Sequence, residues 1–166
     1  MSDIEIQESP DFNMDEVDDM PGFINQIDGV YGCKLSLSRK TEEINDKPSD
    51  RLNFQFTITE VIEEKKKHEE EVKPDDIVNV SFSLLLSEKD KETGRKQSSG
   101  LGFAKPYLVA IAKELDCGPS LNDIIKECQD VNCTVTFVTK TSKIKDADGN
   151  EKTYNNPNIR KLIFPA

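Results

Sequence analysis

The chain has 166 residues, 35% of them hydrophobic and 33% charged, with no tryptophan and a formal net charge of −10. A chain of this length can bury roughly 70% of its unfolded surface in one core, and this composition excludes membrane-spanning, collagen-like and wholly disordered classes. A net charge of −10 argues at first sight against a polyanionic partner. No apolar run approaches the ~18 residues of a bilayer span, and no basic start precedes an apolar stretch. The expectation is therefore a soluble protein of the cytoplasm (the host's, if the chain is viral), with no membrane partner.

The charge is unevenly spread. From Met1 to Cys33 there are nine acids (Asp3, Glu5, Glu8, Asp11, Asp15, Glu16, Asp18, Asp19, Asp28) and no Lys or Arg, so the rest of the chain carries only −1. An acidic block with scattered Phe12, Met14, Val17 and Met20 buries too little apolar surface to offset the entropy of ordering it. Residues 1–22 are thus expected to be an acidic, disordered tail and residues 23–166 a folded domain. Within that domain, residues 89–105 and 140–161 each carry a net +3, and the compensating acids gather in residues 60–76.

Residues 30–38 alternate Tyr31, Cys33, Leu35 and Leu37 with small or polar residues, the period of a half-buried strand. A polar loop is expected over residues 39–50. Residues 51–62 alternate again, with Leu52, Phe54, Phe56 and Ile58 on one face and Asn53, Gln55, Thr57 and Thr59 on the other. Residues 77–86 repeat the pattern through Val78, Val80, Phe82, Leu84 and Leu86, after a long exposed connection. A Gly-, Ser- and Lys-rich stretch, 92–102, precedes a change of period: Tyr107, Leu108, Ile111, Ala112 and Leu115 recur at helical spacing, with Pro106 expected in the first turn. Ser120 and Asp123 suggest a capping box opening a short helix over 121–128. Val131, Cys133, Val135 and Phe137 return to period two, Asp148-Gly149 marks a turn, and residues 152–164 form the last strand.

The expected class is mainly β: a five-stranded OB-fold-like Greek-key barrel with one or two helices between strands three and four. Catalytic machinery is not in view. His68 stands alone in a charged loop, and no P-loop, dinucleotide fingerprint or nucleophile elbow occurs. Asp146-Ala147-Asp148-Gly149-Asn150 has its glycine fourth rather than sixth, which makes it a hairpin turn rather than a calcium loop. The cysteines, Cys33, Cys117, Cys128 and Cys133, contain no C-x-x-C pair and read as core thiols in a reducing compartment rather than zinc ligands. No catalytic residue, metal or cofactor is expected, and a binding protein is favoured over an enzyme.

OB-folds bind single strands by combining a basic groove with aromatics on which bases stack. The two loops that would rim such a groove hold Arg39, Lys40, Lys47 and Arg51, and Lys140, Lys143, Lys145 and Lys152; Lys34, Asn53, Gln55 and Thr57 would form its floor. The candidate nucleic-acid-binding residues are Lys34, Arg39, Lys40, Arg51, Asn53, Gln55, Lys140, Lys143, Lys145, Tyr154 and Arg160. Phe54, Phe56, Phe82 and Phe137 have core parity, which leaves Tyr154, and secondarily Tyr107, to meet a base.

In its acidic Phe-containing start (Asp11-Phe12, Pro21-Gly22-Phe23), Gly29-Val30-Tyr31, Leu52-Asn53-Phe54-Gln55-Phe56, the helix 107–115, Leu121-Asn122-Asp123-Ile124 and the strand 135–145, the chain resembles phage-encoded OB-fold single-stranded-DNA-binding proteins. That resemblance covers residues 11–164 and rests on patterning. It implies a replication, recombination or repair accessory that coats single-stranded DNA and recruits partner enzymes through an acidic tail. Such tails are usually C-terminal; here the acid is at the front, and the chain ends in the basic and apolar Arg160-Lys161-Leu162-Ile163-Phe164. A homodimer is left open. The alternative is a protein-interaction module, either a virion or scaffold component or an acidic inhibitor that imitates DNA.

Overall fold

The computed structural model describes residues 15, 23–65 and 71–165. The expected tail, residues 1–22, lies outside the described residues apart from Asp15, and so does His68. The elements follow as β1 (Gly29–Ile44), β2 (Lys47–Glu64), β3 (Ile77–Ser83), α1 (Glu88–Glu92), α2 (Ser99–Glu114), α3 (Leu121–Glu127), β4 (Val131–Lys145) and β5 (Glu151–Ile163). The strands form one antiparallel sheet in the order β3-β2-β1-β4-β5. It is an open sheet: β3 and β5 are its edges and are not paired with each other. The chain is thus mainly β, with its helices between the third and fourth strands.

Alternation decides the core. Tyr31, Cys33, Leu35 and Leu37 of β1, Leu52, Phe54, Phe56 and Ile58 of β2, Val78 and Val80 of β3, and Cys133, Val135 and Phe137 of β4 are buried on one face. Ala104, Leu108 and Ile111 of α2, Ile124 of α3 and Cys128 close that face from the other side. Phe54 meets Phe82 and Tyr107 edge-on, and Phe56 meets Phe137 in the same way at 5.2 Å between ring centres. Truncating one of these rings to alanine would cost about 3–5 kcal/mol in lost burial and cavity formation.

Polar ties seat the flanking segments. The Thr139 hydroxyl accepts from the Ile27 amide (2.8 Å) and donates to the Ile27 carbonyl (3.0 Å), holding residues 23–28 against β4. The Gln129 side chain donates to Leu37 O at 2.9 Å, and the Leu37 amide donates to Cys128 O at 3.0 Å, which pins the end of α3 to β1.

Several elements differ from the expectation, each for a physical reason. Residues 39–50 are not a loop: β1 and β2 run on to Ile44 and Lys47, joined by Asn45 and Asp46 at φ 51° and 62°. Two successive left-handed residues make the type I′ turn whose twist matches a hairpin. This arm is exposed on both faces, so no hydrophobic period marks it.

The third strand ends at Ser83 rather than residue 86, because Ser87 opens α1. The capping box lies there, not at Ser120: Ser87 Oγ accepts from the Asp90 amide and Asp90 Oδ2 from the Ser87 amide, each at 3.1 Å. Ser120 makes no side-chain cap bond.

Helix α2 starts at Ser99, so Pro106 lies inside it rather than in its first turn. Ser98 caps the start, its hydroxyl accepting from the Leu101 amide at 3.0 Å and donating to Ser83 O at 2.8 Å. Gly100 allows this docking, since a Cβ there would collide with the Ser83 carbonyl. No helix among the described residues is long and apolar enough to cross a membrane.

Candidate nucleic-acid interface

Residues directly opposite in an antiparallel ladder share a face, so the register sorts every candidate side chain. Leu35 and Leu37 point into the core, and Lys34, Ser36, Ser38 and Lys40 therefore point outward. Lys34 lies opposite Thr57 and Asn132, Lys40 opposite Arg51, and Arg51 also opposite Ser83. Asn53 and Gln55 are half-buried between them. Asn53 donates to Asn79 at 3.0 Å and accepts from Ser81 at 3.1 Å, which locks a polar floor across β2 and β3.

On the β4–β5 arm Lys140 pairs with Asn156, Ser142 with Tyr154 and Ile144 with Lys152, all on the same outer face. Lys161, opposite Thr136, belongs to it as well. Along the five strands this face carries seven bases (Lys34, Lys40, Lys47, Arg51, Lys140, Lys152, Lys161) against three acids (Glu42, Glu60, Glu63). Lys40 bridges Glu42 at 3.4 Å between exposed side chains, which leaves its charge available at little cost.

Three candidates do not join them. Lys143 and Lys145 pair with Thr153 and Glu151 and so point to the opposite face of the arm. Arg39 has the parity of Leu37 and closes a forked pair on Asp50, with Nε to Oδ1 at 2.9 Å and Nη2 to Oδ2 at 2.6 Å. That pairing raises the Arg39 pKa and holds the Asp50 carboxyl below its ordinary range, with Thr41 adding a hydrogen bond to Asp50. Arg39 is therefore a brace of the β1–β2 arm. The arm as a whole is not basic: over residues 39–51 four bases meet four acids.

The unpaired edges create what alternation could not predict. Where β3 and β5 approach, a cleft of about 580 Å³ is lined by Ser81 and Ser83 of β3, Gly100, Phe103 and Tyr107 of α2, Val138 and Lys140 of β4, and Asn158, Ile159 and Arg160 of β5. Lys140 and Arg160 are the charged residues of this lining, and both are basic. Phe103 is 71% exposed, the most exposed large hydrophobic side chain among the described residues. The sequence reading missed it by starting the helical period at Tyr107, although its position one helical turn before Tyr107 was the available signal.

Tyr107 is not free to stack: its hydroxyl donates to Ile159 O at 2.8 Å, and burial raises its pKa. Tyr154 is 46% exposed on the outer face. The arrangement offers a polar floor, cations on the same face and two accessible rings, Phe103 at the cleft and Tyr154 on the β4–β5 arm. Among the described residues no group of three or more His, Cys, Asp or Glu is placed to hold a metal ion. Comparison with known proteins finds no family model and no curated protein that matches the chain.

Proposed function

We propose that this chain binds single-stranded DNA without marked sequence preference, in replication, recombination or repair, and that the strand lies along the outer face of the sheet. It enters beside Lys40 and Arg51, crosses Lys34, Asn53 and Gln55, and ends at the β3–β5 cleft beneath the β4–β5 arm. Lys140, Arg160 and Lys161 neutralise phosphates there, and Phe103 and Tyr154 stack on bases.

The observation that carries this reading is the sorting of bases onto one polar face that ends in a cleft holding Lys140, Arg160 and exposed Phe103. The fold proposed with it is an open variant of the OB-fold. The strand order β3-β2-β1-β4-β5, with helices between β3 and β4, is compatible with that fold if the β3–β5 seam is left unzipped. The resemblance to phage single-stranded-DNA-binding proteins supports the same reading.

Fluorescence anisotropy of a labelled thirty-mer of thymidine, titrated with the full chain at low and moderate salt, tests the proposal. Binding that weakens steeply with salt is expected, since each phosphate contact on a single strand contributes a log-log slope of about −0.7. Absence of binding at low salt would overturn the proposal in favour of a protein-interaction module.

A further inference from the structure

The sheet accounts for the basic patch of residues 140–161, but not for the one at residues 89–105. That second patch borders a different feature. Between α2 and α3 an open groove of about 810 Å³ has an apolar floor that includes Leu101, Leu108, Leu121 and Ile124. Among the described residues its charged lining is Arg95, Lys105 and Lys113 against a single acid, Asp116. Lys105, Val109 and Lys113 follow at intervals of four residues along α2, so the lysines stand about 12 Å apart on one stripe. Val109 between them is 56% exposed. A binding surface of this kind fits an extended or helical segment that alternates acids with apolar side chains.

Residues 1–22 have that composition. They hold eight acids and no base, with Phe12, Met14, Val17 and Met20 among them. The other acidic stretch, residues 60–76, is interrupted by lysines. The reach is sufficient. Phe23 is bridged to Ile77 at the start of β3, and β3 ends at Ser83, against which the start of α2 is docked. That separation is roughly 20–25 Å, while the eleven residue steps from Phe12 to Phe23 span up to about 36 Å when extended.

We propose that residues 1–22 dock in cis into the α2–α3 groove, with their acids on Arg95, Lys105 and Lys113 and their apolar side chains on its floor. The outer face of the sheet would attract the same acids, but its Ser, Asn, Gln and Thr floor offers the apolar side chains less burial than the groove. The short tether gives the segment an effective concentration of the order of millimolar, so even weak contacts suffice. The basic sheet face then stays open, and the acidic segment is stored on the opposite layer of the molecule.

Cys117 lies in the groove lining and supplies the readout, because the other three cysteines are buried. The rate of Cys117 alkylation by N-ethylmaleimide is measured by mass spectrometry on the full chain. Wild type at low salt is compared with wild type at 1 M salt, with K105E/K113E and with D11K/D18K/D19K. The expected result is alkylation about five-fold faster in high salt and in both variants, because screening or reversing the charges uncovers the groove.

Reversing Lys113 to Glu disfavours a nearby thiolate and by itself slows the reaction, so acceleration in that variant can come only from uncovering. The segment-side variant leaves every residue of the groove unchanged and decides the matter if K105E/K113E does not fold. Equal rates in wild type and D11K/D18K/D19K overturn the proposal. So does protection that disappears on dilution, which would assign the occupant to a second copy of the chain.

Discussion

Lys140 and Arg160 stand out among the basic residues because they share one cleft with an exposed aromatic ring, and among the described residues no carboxylate lines it. Lys143 and Lys145 are their near neighbours in sequence but face the other way. Reversing Lys140 and Arg160 together to glutamate should weaken binding of the thymidine thirty-mer by at least tenfold and reduce the salt slope by about 1.4, the share of two phosphate contacts. The K143E/K145E pair should have a distinctly smaller effect in the same titration. Phe103→Ala should cost about five-fold or more in affinity while leaving the salt slope unchanged, because stacking releases no counterions. At this scale three of the four cysteines follow the expectation of core thiols: Cys33, Cys128 and Cys133 are buried, and burial pushes the Cys128 and Cys133 thiols up to about 12, whereas Cys117 is only half-buried and lines the α2–α3 groove. In 1 M salt, one thiol per native chain, Cys117, should react promptly with a disulfide reagent, and all four only after denaturation.

Among the elements, α2 shows how a helix can start where composition argues against it. Ser98, Ser99 and Gly100 form a poor helical sequence, yet the start is held by the Ser98 cap and by Asp90, whose Oδ2 accepts from the Ser99 amide at 3.1 Å as well as from Ser87. Those amide donors hold the Asp90 carboxyl down to about 2. A lowered folded-state pKa means that the carboxylate's contribution is complete above the ordinary carboxylate range and is lost as pH falls from about 4 toward 2. Asp90→Ala should accordingly lower Tm by about 5 °C at neutral pH, and the gap from wild type should narrow below pH 4 in calorimetric melts. Gly100→Ala raises helix propensity but forces a Cβ against the Ser83 carbonyl. Its expected outcome in denaturant unfolding is a loss of about 1–3 kcal/mol rather than a gain. The β1–β2 arm was hidden from the sequence for the opposite reason, whereas the β4–β5 hairpin was legible in the Asp148-Gly149 turn and the strands expected on either side of it. Beyond Leu37 and Leu52 both faces of the β1–β2 arm meet solvent, so hydrophobicity has no period to display.

For the molecule as a whole, the net charge of −10 conceals three separate distributions. Residues 1–22 are acidic, the outer face of the sheet is basic, and the α2–α3 groove has a basic rim around an apolar floor. The strands, their inward residues and the helical layer between β3 and β4 followed from the sequence because alternation and helical spacing are local consequences of backbone geometry. The outward placement of Lys34, Lys40, Arg51 and Lys140 was already implicit in that alternation. The tertiary structure alone decided that Arg39 is consumed by Asp50 and that Phe103 stands at the mouth of a cleft. Each of these depends on partners distant in the chain: a hairpin register, the coiling that brings two sheet edges near each other, and a helix docked through Ser98 and Gly100. Side-chain periodicity records which way a residue points, whereas what it meets there is set by how the elements pack.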